Sequence, residues 1–309
     1  RTSFEKNHMP DYNIKLLASE NALVGEGPCW DPHLGVLFWS DIRTGRVFRY
    51  DPETGDNELI HHGKYVGGIA VNKQGGLVFG TWEGVQLWRS DDDFQWLHHG
   101  ETYQFNDCFA GPRGEFYGGS YFDGAAPGAL YRFETEGRVE TIAEDVGISN
   151  GMDFSSDLKT FYHTDSPIRT IFAYDHNPET GALTNKREYV KLGTEEGIPD
   201  GMTVDAQDHV WSANWGGSCI IRFDPDGVEE RRISFPATQT SAPMFGGDGF
   251  GDLYVTTAYN GTGEPPSGIE PVNYDFNAHR GGELYRVHLG DQGIHGKAEF
   301  EANFKWADR

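Results

Sequence analysis

Two phrases in the sequence are near-copies: "ISNGMDFS" at 148–155 and "IPDGMTVD" at 198–205. Each sets an oxygen-bearing side chain, Asn150 or Asp200, ahead of a Gly-Met pair and the start of an apolar strand. Two other stretches offer the same kind of side chain: Glu26 in "GEGPCWD" and Asn106 in "QFNDCFAGPRG". Mixed carboxylate and amide oxygens are the ligand set of a hard divalent cation, with Ca²⁺ the default. Glu26 and Asp200 would balance its charge, and two such carboxylates buried together would repel without it. No histidine or cysteine joins the set, which argues against a zinc-type nitrogen and sulfur site. Asp and Asn also precede strands as plain turn formers. The chemistry therefore depends on whether the chain brings the four side chains together.

A repeat supplies the means. A short apolar strand, a polar turn and a second strand recur as "GVLFWSDIRTGRVFRYD" (35–51) and "GGLVFGTWEGVQLWRSD" (75–91). The unit returns as "GEFYGGSYFDGAAPGALYRFE" (114–134), "LKTFYHTDSPIRTIFAYD" (158–175) and "DHVWSANWGGSCIIRFDPDG" (208–227). The sixth copy is "GDLYVTTAY" (251–259), resumed at "GGELYRVHL" (281–289). Anchoring on the first apolar strand residue gives Leu37, Leu77, Phe116, Phe161, Val210 and Leu253, at steps of 40, 39, 45, 49 and 43. Units of this length, alternating in polarity and bounded by Gly, Asp, Asn and Pro, are propeller blades of four short strands. The prediction is an all-β, six-bladed β-propeller with a central metal site. It forms a single domain over 1–309, with blades at about 21–62, 63–100, 101–145, 146–192, 193–236 and 237–309. "YNIKLLAS" (12–19) and "KAEFEANFK" (297–305) both read as strands, and one of them closes the ring, the N-terminal strand being the expected one.

Ten or eleven residues before each anchor lies the start of a blade's innermost strand. That place holds Glu26, Asn106, Asn150 and Asp200 in blades 1, 3, 4 and 5. Gly67 takes it in blade 2, and the neighbourhood of Ser241 and Ala242 in blade 6. Equivalent positions in a propeller lie at equal height, so the four oxygen side chains converge on one channel mouth.

Composition bounds the rest. The 309 residues carry 25 basic and 48 acidic side chains, a formal charge of −23, which argues against nucleic acid and anionic membrane surfaces as partners. No run approaches the eighteen apolar residues of a membrane span. Cys29, Cys108 and Cys219 are too few and scattered for a disulfide framework and read as reduced thiols. With no charged-then-apolar export signal near the start, a cytoplasmic protein is expected, although a chain beginning at Arg1 leaves secretion or the periplasm open.

The motifs resemble the SMP-30/gluconolactonase family of regucalcin-like lactonases. "GEGPCWD", "FNDCFAGPRGEFYGGS", "ISNGMDFSSDLKTFYHTD", "PDGMTVDAQDHVWSANWGG" and "GDLYVTTA" match it in order, from about residue 24 to about residue 258. The resemblance implies a six-bladed propeller, metal ligands at Glu26, Asn150 and Asp200, and a substrate-facing Asn106 with Asp107 beside it. Some relatives carry an arginine two residues before that asparagine, where this chain has Gln104. Asp123, in "SYFDGAAPG", matches the acidic position that meets substrate hydroxyls. The implied reaction is metal-dependent hydrolysis of a sugar lactone to its aldonic acid, with Asp200 as both ligand and general base. Zn²⁺, Mn²⁺, Mg²⁺ and Fe²⁺ suit the same oxygens as Ca²⁺. A phosphotriesterase on the same scaffold and a non-catalytic calcium-binding propeller are the competing readings.

Other features read as structural. His61-His62-Gly63 and His98-His99-Gly100 are spaced by 37, close to the blade period, so they are one outer-strand ending written twice. "GGDGFGD" (246–252) lacks the later glutamate of a calcium loop. The insertion at 258–282 either caps the channel mouth or leaves from its other end.

Overall fold

The computed structural model describes residues 12–100, 103–121, 127–259 and 270–307. Among these residues, twenty-four strands, β1 to β24 in chain order, form six four-stranded sheets. Pairing within each sheet is antiparallel, and five sheets run in simple sequence order from the inner strand outward. The inner strands are β2 (Gly25–Asp31), β6 (Val66–Val71), β10 (Phe105–Ala110), β14 (Ser149–Phe154), β18 (Ile198–Val204) and β22 (Thr240–Gly246). Each packs against the inner strands of the blades on either side, which makes a closed ring around a channel. This is the predicted six-bladed propeller. No helix among the described residues is long and apolar enough to cross a membrane.

The repeat anchors explain why the sequence folds this way. Leu37, Leu77, Phe116, Phe161, Val210 and Leu253 all lie in the second strand of a blade, and all are buried. They face Trp30, Val71, Ala110, Phe154, Val204 and Phe245 of the inner strands, at the same rung of each hairpin. Burying one such side chain contributes about 1.5–3 kcal/mol, so a one-residue slip in any blade would turn a core residue out to solvent.

Ring closure uses the N-terminus. Strand β1 (Lys15–Ser19) pairs with β24 (Glu283–His288) and completes the sixth sheet, in the order β1-β24-β23-β22, where β23 is Asp252–Thr257. The segment "KAEFEANFK" departs from expectation. It forms no strand, only one parallel bridge between Ala302 and Asn72. Its alternation serves another purpose, because the tail crosses the blades instead of extending one. His295 accepts from the Ala206 amide, Lys297 reaches Asp153, Phe300 packs on Phe154, and Trp306 bonds the Gly75 carbonyl. Asn72 clamps the end of this strap. It accepts from the Phe304 amide at 2.9 Å and donates to the Phe304 carbonyl at 3.0 Å, while 3 % exposed. The two histidine pairs end β5 (Asn57–His62) and β9 (Asp93–His99), outer strands of neighbouring blades, with His61 and His98 at matching register opposite Val47 and Val85.

Asn72→Ala strands two buried backbone groups of Phe304 and is expected to cost about 2–3 kcal/mol in urea unfolding. An unchanged midpoint would show that the strap contributes nothing to the fold.

Candidate functional site

Each inner strand carries a β-bulge, and all six bulges sit at the same height. The register shifts fall between Glu26 and Cys29, Val66 and Gly68, Phe105 and Asp107, Ser149 and Met152, Pro199 and Met202, and Thr240 and Ala242. Gly67, Asn106, Asn150, Asp200 and Ser241 are thus the extra residues of their strands, and Glu26 flanks its own bulge. A bulge residue leaves the ladder, so its side chain turns out of the sheet plane and into the channel. The strands crowd tightly here. A Cβ on Gly151 would lie 2.4 Å from the Met202 amide nitrogen, and one on Gly201 would lie 2.4 Å from the Ala242 Cβ. That crowding explains why the duplicated phrase reads Asn-Gly-Met and Asp-Gly-Met: the oxygen side chain needs a glycine behind it.

Glu26, Asn106, Asn150 and Asp200 line one cavity of about 200 Å³ at a channel mouth. Glu26, Asn150 and Asp200 are each no more than 4 % exposed. A chain of hydrogen bonds sets the two amides. Ser166 Oγ donates to the Pro199 carbonyl at 2.6 Å, so it can only accept from Asn150 Nδ2, which lies 2.9 Å away. Asn150 therefore presents its oxygen to the cavity, where Asn106 Nδ2 donates to it at 3.0 Å. Asn106 Nδ2 also reaches the Ser149 carbonyl at 3.2 Å, which frees the Asn106 oxygen. Glu26 accepts from the Gly27 amide at 3.0 Å. Among the described residues, no basic side chain is bonded to Glu26 or to Asp200.

Burial raises the Glu26 carboxyl well above the usual range, and the charges of Asp200 and Asp107 push it further. Burial does the same to Asp200, with Asp107 adding to it. Asp107 itself is pushed up to about 7 by burial. These groups resist ionisation until a cation compensates them. The described residues hold no cluster of three His, Cys, Asp or Glu donors; two carboxylates and two amide oxygens make an all-oxygen set that fits a hard divalent cation.

Other expected site residues fall elsewhere. Asp107 lines a second cavity deeper in the channel, with Asp153 of β14 and Glu299 of the C-terminal strap. Gln104 is absent from the described lining of the upper cavity; its backbone joins Trp82 to Tyr121, and its side-chain oxygen is buried with no partner among the described residues. Asp123 lies outside the described residues. So does 260–269 of the long insertion; its described part packs Tyr274 onto Thr238, with a 3.0 Å contact between their hydroxyls, beside the Trp215–Gly216 turn at the rim of the cavity.

Sequence reasoning missed a second tier of the pocket. Ile42, Trp82, Tyr121, Ser166 and Trp215 all line it, and each lies five residues after its blade's anchor. Arg43 stands next to Ile42 on the same rim. The signal was the same repeat register, counted forward instead of back.

The fold and site define a class: a six-bladed propeller with an acidic, oxygen-lined pocket at one channel mouth and aromatic walls above it. Within that class, residues 24–259 match the family model described as SMP-30/Gluconolactonase/LRE-like region, and the chain belongs to that family. It is 35 % identical to pentonolactonase XacC of Haloferax volcanii over 294 residues, covering 94 % of this chain and 99 % of that protein. It is 32 % identical to human regucalcin, covering 93 % and 98 %. Among solved structures, a luciferin-regenerating enzyme superposes with a TM-score of 0.86 at 23 % identity, covering 95 % of this chain and all of the other. A calcium-binding regucalcin from Agrobacterium tumefaciens gives 0.81 at 23 % identity, covering 96 % and 98 %. At those identities the structural likeness bears on the fold.

Because the raised carboxyls keep protons that the unfolded chain releases near pH 4, metal-free stability from these groups is present at low pH. It is lost as pH rises toward the native values, about 7 for Asp107. Metal-free protein should therefore lose thermal stability between about pH 4 and about pH 7, and Asp200→Asn should flatten that loss. Identical pH profiles for the two proteins would contradict a strained carboxylate pair.

Proposed function

We propose that this protein hydrolyses the ring ester of a sugar lactone to the aldonic acid, with one divalent cation, Ca²⁺ by default, held by Glu26, Asn150 and Asp200. The observation that supports it is the convergence of those residues and Asn106 on a single cavity. The similarity to a named pentonolactonase along nearly the whole chain supports the lactone class. When bound, the cation draws electron density from the lactone carbonyl and stabilises the oxyanion that forms there.

This chain's residues do the remaining work. Asp200 Oδ takes a proton from the attacking water, whose oxygen bonds to the carbonyl carbon. The bond from that carbon to the ring oxygen then breaks, and the proton returns from Asp200 to the departing alkoxide. Asn106 and Asn150 hold fixed orientations through Ser166, so their oxygens are aimed before substrate arrives. Trp82, Tyr121 and Trp215 offer flat apolar walls to the carbon face of a sugar ring and keep bulk water away. Gln104 braces the wall by joining Trp82 to Tyr121 through its backbone. Three buried cysteines without a disulfide support a reducing, cytoplasmic setting.

Acid release from a panel of aldonolactones, followed by pH-stat with and without chelator, tests this reading. Asp200→Asn is expected to lower kcat by about 10²–10⁴-fold. Asn106→Ala is expected to raise KM about tenfold more than Gln104→Ala does. Full turnover in Asp200→Asn, or metal-dependent cleavage of a phosphotriester with no lactone hydrolysed, would overturn it.

A further inference from the structure

Arg43 lies in the turn between β3 (Val36–Asp41) and β4 (Arg46–Tyr50), on the rim of the oxygen-lined cavity. Among the described residues, it is the one basic side chain that lines it. Arg46, at the start of β4, is fully engaged: it donates to Asp41 at 2.9 Å, to Thr44 at 2.8 Å and to the Glu20 carbonyl at 3.1 Å. Arg43 makes no hydrogen bond or ion pair among the described residues, in a chain where 48 acidic side chains face 25 basic ones. What holds it is a ring. Its guanidinium carbon lies over Trp82, 5.7 Å from the centroid, and Trp82 also meets Tyr65 in a T-shaped contact at 4.4 Å. A cation–π contact fixes a guanidinium while leaving its N–H donors free for a partner.

The charge count gives that partner a sign. Glu26 and Asp200 together carry two negative charges, which a divalent cation cancels, and the positive charge of Arg43 is left over. A loaded pocket is thus cationic at its rim, inside a protein whose net charge of −23 would otherwise turn anions away. A neutral lactone makes no use of that charge. A planar fork of donors suits a carboxylate or a phosphate, bound in bidentate fashion.

We infer that Arg43 is a specificity residue, and that the preferred substrates are lactones with a second, anionic group, carboxylate or phosphate, remote from the ring carbonyl. The inference rests on the lactonase reading and deepens it. The anionic end docks on Arg43 at the rim, while the ring ester reaches Asp200 on the floor.

The test compares kcat/KM for matched lactones with a neutral, a carboxylated or a phosphorylated end, in wild type, Arg43→Ala and Arg43→Lys. Wild type is expected to favour at least one charged arm, and the arm with the larger ratio names the group. Arg43→Ala should lower the charged-to-neutral ratio by about tenfold or more, Arg43→Lys should restore part of it, and added salt should shrink it. Loss of activity by one common factor for charged and neutral lactones, or no change in the ratio, would overturn the assignment to Arg43. Were no lactone turned over by wild type, the lactonase reading would fail by itself. Calorimetry with the ring-opened mono- and dianionic acids would then decide on Arg43, since an unchanged preference for the dianion in Arg43→Ala rejects it and a lost preference supports it.

Discussion

Glu26 and Asp200 are both buried on the floor of one cavity, where each charge makes the other harder to form. A chain gains nothing in stability from such a pair, and a hydrophobic pair of similar volume would fold as well or better. The arrangement persists only because the scaffold enforces it. Six bulges at one height lift the residues of the inner strands out of the ladder and point them at a common axis. Glycines behind Asn150 and Asp200 let neighbouring strands close to distances that a Cβ would forbid. The bonded line from Pro199 through Ser166 to Asn150 and Asn106 then fixes which way the amides face.

Such local strain requires a rigid frame, and the ring provides it twice over. Strand β1 closes the sixth blade from the N-terminus. The C-terminal strap crosses the far side, with Lys297 donating to both oxygens of Asp153 at 2.9 Å and Asn72 clasping Phe304. The strap also brings Glu299 to the deeper cavity that Asp107 lines, where burial pushes the Glu299 carboxyl up to about 8. Carboxyl groups thus line the channel from the upper pocket down to the deeper cavity.

Much of this was legible in the sequence because propellers write their geometry as a period. The anchors from Leu37 to Leu253 mark one rung of each hairpin, so counting back from them reached the bulge residues without any knowledge of bulges. Counting forward by five would have reached Trp82, Tyr121, Ser166 and Trp215, but turn residues of mixed type carry no chemical signature in common. Arg43 was hidden for that reason and because its partner, Trp82, belongs to another blade. "KAEFEANFK" misled for the opposite reason. Its alternation is that of a strand, yet its contacts are side chains and single backbone bonds to several blades, which no local pattern reports. Asp107 is adjacent to Asn106 in sequence, but neighbours on a strand face opposite ways, and it lines the cavity below.

The proposed chemistry depends on one cation held where the inner strands converge. Anomalous diffraction from crystals grown with a divalent cation addresses it directly. A single strong peak is expected in the upper cavity, bonded to oxygens of Glu26, Asn150 and Asp200 at about 2.3–2.6 Å if the ion is Ca²⁺. An upper cavity without a peak at saturating cation, or a peak bonded only to other residues, would contradict it.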